Sequence, residues 1–398
     1  MCKLTKELIL NLYSLTMRNG IFVFLISLFL ASCDGNEVEK SELSDSFTVT
    51  LDTVMVDAGE EFLYLQDNLF LSELDAEDGY LINFNRQEIG AERINLDELK
   101  LDYLIPLEKE GPNGIPQYIS GFLLTPEEHI FIWNYGFYKI FDQEGKLVRD
   151  LELDKLAPEV LGGSEIYPSR FYLDPEDSNR LLGHFIKWED KSYFLMDFDL
   201  ESGSYTEIEL PFFEKTQVYN TDILYEGNWM GSYGTGVYPF SNSDKIILST
   251  NVLNEIQIFD LKRDTLYTKG WDTPLLGSKR GYLPPKEVDG QTDEIEEIRK
   301  MAESDISYGG FIYDKASKKY YRFSKKSYFG EEKDEYGSYV PTRSDVYLSV
   351  FDADLELLAE ALVPELSQEP KRHFVKDGQI WMYLNVDDEL GFVRMKIE

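Results

Sequence analysis

The sequence predicts an all-β fold, because a short strand pattern recurs along the chain and turn signals follow it. The pattern ends in an aromatic residue followed by Asp or Asn, and it occurs at residues 81–85, 138–142, 195–199, 256–260 and 348–352. From Phe84 to Phe141 is 57 residues, and from Phe141 to Phe198 is 57 again. The next two intervals, to Phe259 and Phe351, are 61 and 92 residues. A turn and a further strand follow most of these segments, which is the pattern of a hairpin whose register the turn sets.

Further short strand patterns precede the hairpins, at residues 130–133, 181–185 and 245–250. Each repeat therefore contains about four strands. Four-stranded units recurring at this period are typical of a β-propeller, in which each blade packs against its neighbours. The sequence predicts a single propeller domain over residues 47–398.

The two ends of this domain complement each other. Residues 372–375, 379–385 and 392–397 supply three strands, and the chain then stops. Residues 47–56 form a strand pattern in which Phe47, Val49 and Leu51 alternate with polar residues. If this strand completes the last blade, the ring has no exposed sheet edges. We therefore predict six four-stranded blades, closed by pairing of the N- and C-terminal strands.

The long interval before Phe351 contains an insertion. Ile295, Ile298 and Met301 lie at helical spacing among charged residues, which predicts a short amphipathic helix near residues 289–304. The insertion either packs on the rim of the propeller or forms a lid or a surface that faces a partner.

The amino-terminal segment has the order of an export signal. Arg18 leads into the apolar run 21–30, and small residues then precede Cys33. The run falls short of the roughly 20 residues that a membrane-spanning helix needs, so residues 1–32 are interpreted as a cleaved signal peptide, with Met17 as a possible true start. Residues 30–33 resemble the lipobox of bacterial lipoproteins. This resemblance implies that Cys33 is lipidated and anchors the protein to a membrane.

Residues 33–46 are polar and charged, with too little apolar surface to order themselves, so we expect a flexible acidic tether. Acidic residues soon after the lipidated cysteine resemble the surface-export signal of Bacteroidota lipoproteins, although Gly35 and Asn36 interrupt them. The expected location is the outer membrane, with the periplasmic and the exposed face both open.

Composition excludes several classes of function. The formal net charge of −35 would repel phosphate backbones, so nucleic acid is not expected as a partner. The two cysteines are Cys2 and Cys33, so the processed chain would have neither a disulfide nor a free thiol nucleophile.

One segment carries a family resemblance. Residues 107–118, followed by the strand 130–133 and by residues 141–146, resemble the opening of a blade in six-bladed propeller lipoproteins of Bacteroidota. Residues 48–74 and 108–114 resemble, more particularly, the lipoprotein family labelled domain of unknown function four-two-two-one. The family turn often reads Gly-Pro-Gly-Glu, whereas Gly111 to Gly114 here lack the Glu. The resemblance implies the fold and no particular activity.

No pattern predicts catalytic residues or a metal site. His129, His184 and His373 are each isolated in the sequence, and no nucleophile elbow precedes a helix. No cofactor is predicted, and a structural Ca²⁺ at the acidic turn 174–179 has no complete ligand loop behind it.

Aromatic residues in the loops and at strand ends are the candidate binding residues, because exposed aromatics beside polar groups hold sugars, peptides and proteins. They are Trp133, Tyr135, Trp229, Tyr233, Tyr238 and Tyr282, with Trp188 in a similar position. For each of them, packing between blades is the alternative role. The sequence favours a lipid-anchored envelope propeller that binds or scaffolds a protein or an extracellular ligand without catalysis. The alternative is a hydrolase or lactonase-like propeller enzyme with a metal in its central channel.

Overall fold

The structure is a computed structural model that describes residues 47–398, apart from residues 76, 78 and 243. The predicted signal peptide, Cys33 and the tether lie outside the described residues. Strand β1 (Val49–Met55) opens the described chain.

Three four-stranded antiparallel sheets follow in chain order. The first contains β2 (Ser72–Leu74), β3 (Tyr80–Asn85), β4 (Gly90–Asn95) and β5 (Lys100–Pro106). The second contains β6 (Gly121–Leu124), β7 (Ile130–Asn134), β8 (Phe137–Phe141) and β9 (Leu147–Asp150). Two short helices, α1 (Leu153–Leu156) and α2 (Pro158–Leu161), lead to the third, which contains β10 (Ile166–Leu173), β11 (Arg180–Lys187), β12 (Ser192–Asp199) and β13 (Ser204–Glu209).

Longer connections lead into the fourth and the fifth blade. A 3-10 helix (Pro211–Tyr219) leads to β14 (Thr221–Tyr225) and β15 (Asn228–Tyr233), and the fourth blade follows with β16 (Val237–Ser241), β17 (Lys245–Thr250), β18 (Glu255–Asp260) and β19 (Thr265–Gly270). Next come β20 (Glu287–Asp289) and helix α3 (Glu294–Glu303). The fifth blade contains β21 (Ser307–Asp314), β22 (Lys319–Lys333), β23 (Tyr339–Phe351) and β24 (Leu357–Leu362). Helix α3 confirms the predicted helical insertion.

The last sheet joins the two ends of the domain. Strands β25 (His373–Lys376), β26 (Gln379–Val386) and β27 (Glu389–Ile397) are completed by β1. Strand β1 runs antiparallel to β27, with Val49 opposite Ile397 and Met55 opposite Gly391. The predicted closure by N- and C-terminal strands is confirmed, and the six four-stranded sheets in the described chain are consistent with six blades.

The recurring aromatic and acidic pair has a structural role. Phe141 and Phe198 are fully buried. The carboxylate that follows each of them accepts backbone N–H bonds within the next turn, as Asp142 Oδ1 does from Glu144 at 3.0 Å and Asp199 Oδ1 from Glu201 at 2.9 Å. Such Asx turns fix the end of the third strand and the start of the fourth.

The first repeat is out of phase with the others. Phe84 lies in β3, the second strand of its sheet, whereas Phe141 lies in β8, the third strand. In the first blade the turn after the third strand is formed by Asn95, whose Oδ1 accepts the N–H of Asp97 at 3.0 Å. Treating Phe84 as equivalent to Phe141 was therefore wrong. Strands β3 and β4 both end in an Asn that forms an Asx turn, so the sequence pattern fitted either strand.

The core lies between neighbouring sheets. Between the second and third blades, for example, Phe131 and Trp133 pack against Phe171, with ring centroids 5.3 and 5.2 Å apart. Close-packed apolar faces of this kind hold each blade to the next.

His184 on β11 is one polar side chain enclosed in such an interface. It is fully buried, its ring stacks on Tyr193 at 5.8 Å, and neither ring nitrogen has a hydrogen-bond partner among the described residues. Burial lowers the pKa of His184 to about 3. The imidazole is therefore neutral in the folded protein at neutral pH.

We expect His184 to make the protein sensitive to acid. In the unfolded chain, His184 takes up a proton below the ordinary histidine pKa of about 6.5. In the folded chain it does so only near pH 3. The free energy of unfolding therefore decreases as the pH falls from about 6.5 toward 3. The variant His184→Phe keeps a stacking ring and has no group to protonate. Its free energy of unfolding should rise, relative to that of the natural protein, by up to about 1.4 kcal/mol for each pH unit below pH 6.5. Urea unfolding at pH 7 and pH 5 measures this difference, and equal pH slopes would contradict it.

Candidate functional site

The connections between blades collect on one face. Successive strands within a blade are antiparallel, so the connection that leads into the first strand lies on the same face as the turn between the second and third strands. We call this the loop face. Its inter-blade connections are residues 56–71, 107–120, 151–165, 210–236, 271–306 and 363–372.

The first strands of the blades lie nearest the axis. Among them, β2 contacts β6, β6 contacts β10, β16 contacts β21, and β21 contacts β25. Side chains that leave these strands toward the axis are therefore brought together from blades far apart in sequence.

The two longest connections join on the loop face. Strand β14 pairs antiparallel with β15 and parallel with β20, which places residues 210–236 and 271–306 in one three-stranded sheet. Val288 of β20 and Ile298 and Ala302 of α3 are buried. We call the layer of β14, β15, β20 and α3 the insert layer. Helix α3 contacts β20 and also β22 of the fifth blade, so the layer packs on the propeller.

The insert layer presents an apolar outer surface. Trp229, Met230 and Tyr225 are exposed by 52%, 67% and 47%. The Trp229 indole is nevertheless fixed, because its Nε1 donates to Asp222 Oδ1 at 2.9 Å. Asp222 also accepts from Ser232 Oγ at 2.7 Å, so the ring is held in place before any partner arrives.

Two of the predicted tyrosines lie close to each other, Tyr233 at the end of β15 and Tyr238 on β16. Burial, and next the charge on Glu303, raises the pKa of Tyr233 to about 12. Burial, and next the charge on Glu369, raises the pKa of Tyr238 to about 12. Tyr238 still exposes 38% of its surface, a combination that fits a side chain in a concave opening. Both hydroxyls are therefore protonated hydrogen-bond donors at neutral pH.

Tyr282 lies apart from these residues in the same connection. Its backbone N–H donates to Asp305 Oδ2 at 2.7 Å, and burial raises the pKa of its hydroxyl. This contact ties the start of the insertion to the residues that precede β21.

Trp133 is placed differently from the prediction. It is fully buried on β7, and its Nε1 donates to the carbonyl of Pro168 at 3.1 Å. The expectation that Trp133 faces solvent was wrong, because its strand is covered on both faces by neighbouring blades.

Tyr135 does lie on the surface, in a small aromatic patch. Its ring packs on Tyr167 at 5.6 Å, and its hydroxyl accepts a hydrogen bond from Trp188 Nε1 at 2.9 Å. Trp188 was recognised as a loop aromatic, whereas Tyr167 was missed because it belongs to a regular strand.

A charged group lies at the axis itself. Arg170 of β10 forms a salt bridge with Glu73 of β2, which joins the third blade to the first. Arg372, just before β25, donates from Nη2 to the carbonyl of Ser72 at 3.0 Å. We call Glu73, Arg170 and Arg372 the axial cluster.

A cleft opens on the loop face at the fifth blade. It has a volume of about 360 Å³ and is lined by residues of β22, β23 and the connection 363–372, including Lys325, Arg343, Glu369 and Lys371. Lys325 Nζ lies 3.2 Å from Glu369 Oε2. Burial raises the pKa of Glu369, and Lys325 acts against this change.

Residues 47–398, apart from their three gaps, contain no group of three or more His, Cys, Asp or Glu placed to hold a metal ion. In the same part of the chain, no helix has the length and apolar character needed to cross a membrane.

The fold of the chain is similar to that of solved structures from Bacteroides. A crystal structure of a DUF4221 family member from Bacteroides vulgatus is 18% identical, with a TM-score of 0.63, and the match covers 88% of this chain and 98% of that one. A protein from Bacteroides fragilis that is named as exported is 9% identical, with a TM-score of 0.51, and the match covers 90% and 98%. At these identities the likeness shows the fold alone. No curated protein matches the sequence.

The sequence itself carries the family relationship. The family described as Domain of unknown function (DUF4221) matches residues 42–362, which span most of the chain and five complete blades. The resemblance seen in residues 48–74 and 108–114 is thereby confirmed. The chain belongs to the DUF4221 family.

Proposed function

We propose that the protein is a lipid-anchored binding protein of the cell envelope, whose loop face engages a protein partner or an extracellular ligand without catalysis. The observation that carries this proposal is the insert layer. Two connections from different parts of the chain build one rigid surface, and that surface exposes Trp229, Met230 and Tyr225. Loops fixed on a rigid scaffold are a common place for recognition.

The chemistry of this surface suits a protein or peptide partner. Trp and Tyr supply large contact areas with little loss of side-chain freedom, and such residues dominate binding energies at interfaces. Because Asp222 already holds the Trp229 ring, little conformational entropy remains to be lost on binding.

The anchor is proposed from the sequence. Residues 1–32 would direct export, Cys33 would carry the lipid, and residues 33–46 would link it to the domain at the outer membrane. The exported relative from Bacteroides fragilis supports the export step, since it shares the fold over 90% of this chain.

Loss of the anchor should release the protein. Cys33→Ala should move the protein from the membrane fraction to the soluble fraction, because diacylglyceryl modification needs the thiol and the apolar run 21–30 is short. Cys2→Ala is the matched control and should stay in the membrane fraction. Fractionation and immunoblotting measure both variants, and a Cys33→Ala protein that remained membrane-bound would rule out this anchor.

The binding surface can be tested without disturbing the fold. The tagged natural protein is first used to capture its partner from envelope proteins, and the affinity for that partner is then measured. The double variant Trp229→Ala and Met230→Ser should bind at least tenfold more weakly. The reason is that truncating a central anchor of an interface often costs about 2 kcal/mol or more. Both side chains are exposed, so the melting temperature should hardly change.

Tyr205→Ala is the control for this experiment. Tyr205 is an exposed aromatic, at 36%, on the outer strand β13 and away from the inter-blade connections. The Tyr205→Ala variant should bind the captured partner with the affinity of the natural protein. Equal affinity of all three proteins would place the partner surface elsewhere.

A further inference from the structure

The axial cluster contains more positive than negative charge. Arg170 and Arg372 contribute two cations, and Glu73 contributes one carboxylate. Burial lowers the pKa of Arg372, Glu73 raises it, and the like charge on Arg170 lowers it further. These three groups therefore interact electrostatically, and their sum at neutral pH is one positive charge.

This excess cannot be removed by loss of a proton. A buried lysine could become neutral, but the guanidinium of arginine keeps its proton under any ordinary condition. The carbonyl of Ser72 accepts one bond from Arg372, yet a neutral acceptor does not cancel a charge. An uncompensated charge with little access to water is costly, and Arg372 is only partly accessible, so an anion is expected to accompany it.

Donors at the cluster are free to hold such an anion. Arg372 Nε is buried and has no hydrogen-bond partner among the described residues. The Tyr172 hydroxyl, which interacts electrostatically with Arg170 and Glu73, is also buried without a partner in that part of the chain. Of the Arg170 nitrogens, Nη1 bonds to Glu73. Unpaired buried donors of this kind indicate a missing acceptor.

The cluster is open to small molecules. The Arg170 side chain retains 32% of its accessible surface although it points to the axis. Lys371, the residue before Arg372, lines the cleft of about 360 Å³ on the loop face, and its Nζ bonds to the neutral amide of Asn68 at 3.0 Å. Two adjacent cations, Lys371 and Arg372, therefore lie in one connection of a chain whose net charge is −35.

We propose that the axial cluster is a binding site for the carboxylate group of a small, singly charged organic anion. The planar fork of a guanidinium matches a carboxylate in shape and charge, and one negative charge balances the excess of the cluster. A doubly charged phosphate would leave one negative charge unbalanced, and that charge would be repelled by the Glu73 carboxylate. This site is separate from the insert layer, so it does not depend on the proposed partner surface.

The test uses the full protein in detergent, with thermal unfolding as the readout. Sodium acetate and sodium gluconate at about 50 mM should raise the melting temperature by about 2 °C or more over sodium chloride of equal ionic strength, because a ligand that binds the folded state stabilises it. Inorganic phosphate is the second arm and should give a smaller shift. No carboxylate-dependent shift, or a larger one with phosphate, would overturn the proposal.

Three variants decide whether the shift arises at the axis. Arg372→Gln should abolish it, and Glu73→Gln should enlarge it because a competing carboxylate is removed. Arg263→Gln, on a side chain that is 78% exposed, should keep it. If Arg372→Gln does not fold, Glu73→Gln still decides, since an unchanged or smaller shift in that variant contradicts an anion held beside Glu73.

Discussion

Deleting residues 392–398 should unfold the entire propeller rather than fray its end. These residues form most of β27, which lies between β1 and β26, and they include the fully buried Phe392 and Met395. Their loss leaves two unpaired strand edges and two empty core positions. The expected loss in the free energy of unfolding is more than about 5 kcal/mol, comparable with the stability of a typical domain. Circular dichroism during heating measures the result.

A deletion in the predicted tether is the control for this truncation. Removing residues 34–46 should leave the melting transition unchanged, because the tether is expected to lie outside the ring. If the protein without residues 392–398 melted cooperatively at the natural temperature, the ring would not need β27 for its closure.

Arg322→Ala should be the most damaging single substitution in the fifth blade. The Arg322 side chain is 1% exposed on β22, and its guanidinium carbon lies 5.2–5.5 Å from the ring centroids of four aromatic residues. Those residues are Trp271, Tyr308, Phe311 and Phe351. Burial lowers the pKa of Arg322 to about 10, and the Glu360 carboxylate opposes this change.

We call the four aromatic rings around Arg322 the cage. Arg322→Ala should lower the free energy of unfolding by about 3–5 kcal/mol, because Glu360 would remain buried beside an empty cage without its cation. Arg322→Met should lose less, since an apolar side chain of similar length fills the cage. Arg263→Ala is the exposed control and should lose less than about 1 kcal/mol. Urea unfolding compares them, and equal losses for the two alanine variants would show that the cage contributes little.

The closure of the ring could be predicted from the sequence because it depends on local patterns. Residues 47–56 alternate as a strand, and the C-terminal repeat is one strand short. Helix α3 was predicted for a similar reason, since Ile295, Ile298 and Met301 recur at helical spacing. Patterns of period two and 3.6 record which face of an element is buried.

Burial on both faces is not visible in such patterns. Trp133 lies in the run Ile130 to Trp133, and all four of these residues are buried because blades cover both sides of β7. A tryptophan at the end of a strand therefore looked like a surface residue when it was part of the core.

The axial cluster could not be predicted from sequence. Arg170 lies 97 residues from Glu73, and Arg372 lies 300 residues from Ser72. Only closure of the ring brings these groups together, and single charged residues on short strands carry no signal of their own. The insert layer is an intermediate case, because its helical segment was predicted while the pairing of β14 with β20 was not.

Site-specific cross-linking in living cells tests the central proposal, binding at the loop face, most directly. A photoreactive amino acid replaces Met230 in the insert layer or, in a separate strain, Tyr205 on β13. Both positions are exposed, so both can report a neighbouring molecule. We expect light-dependent adducts of defined mass from position 230 and none from position 205. Adducts from position 205 alone, or from neither position, would contradict binding at the insert layer.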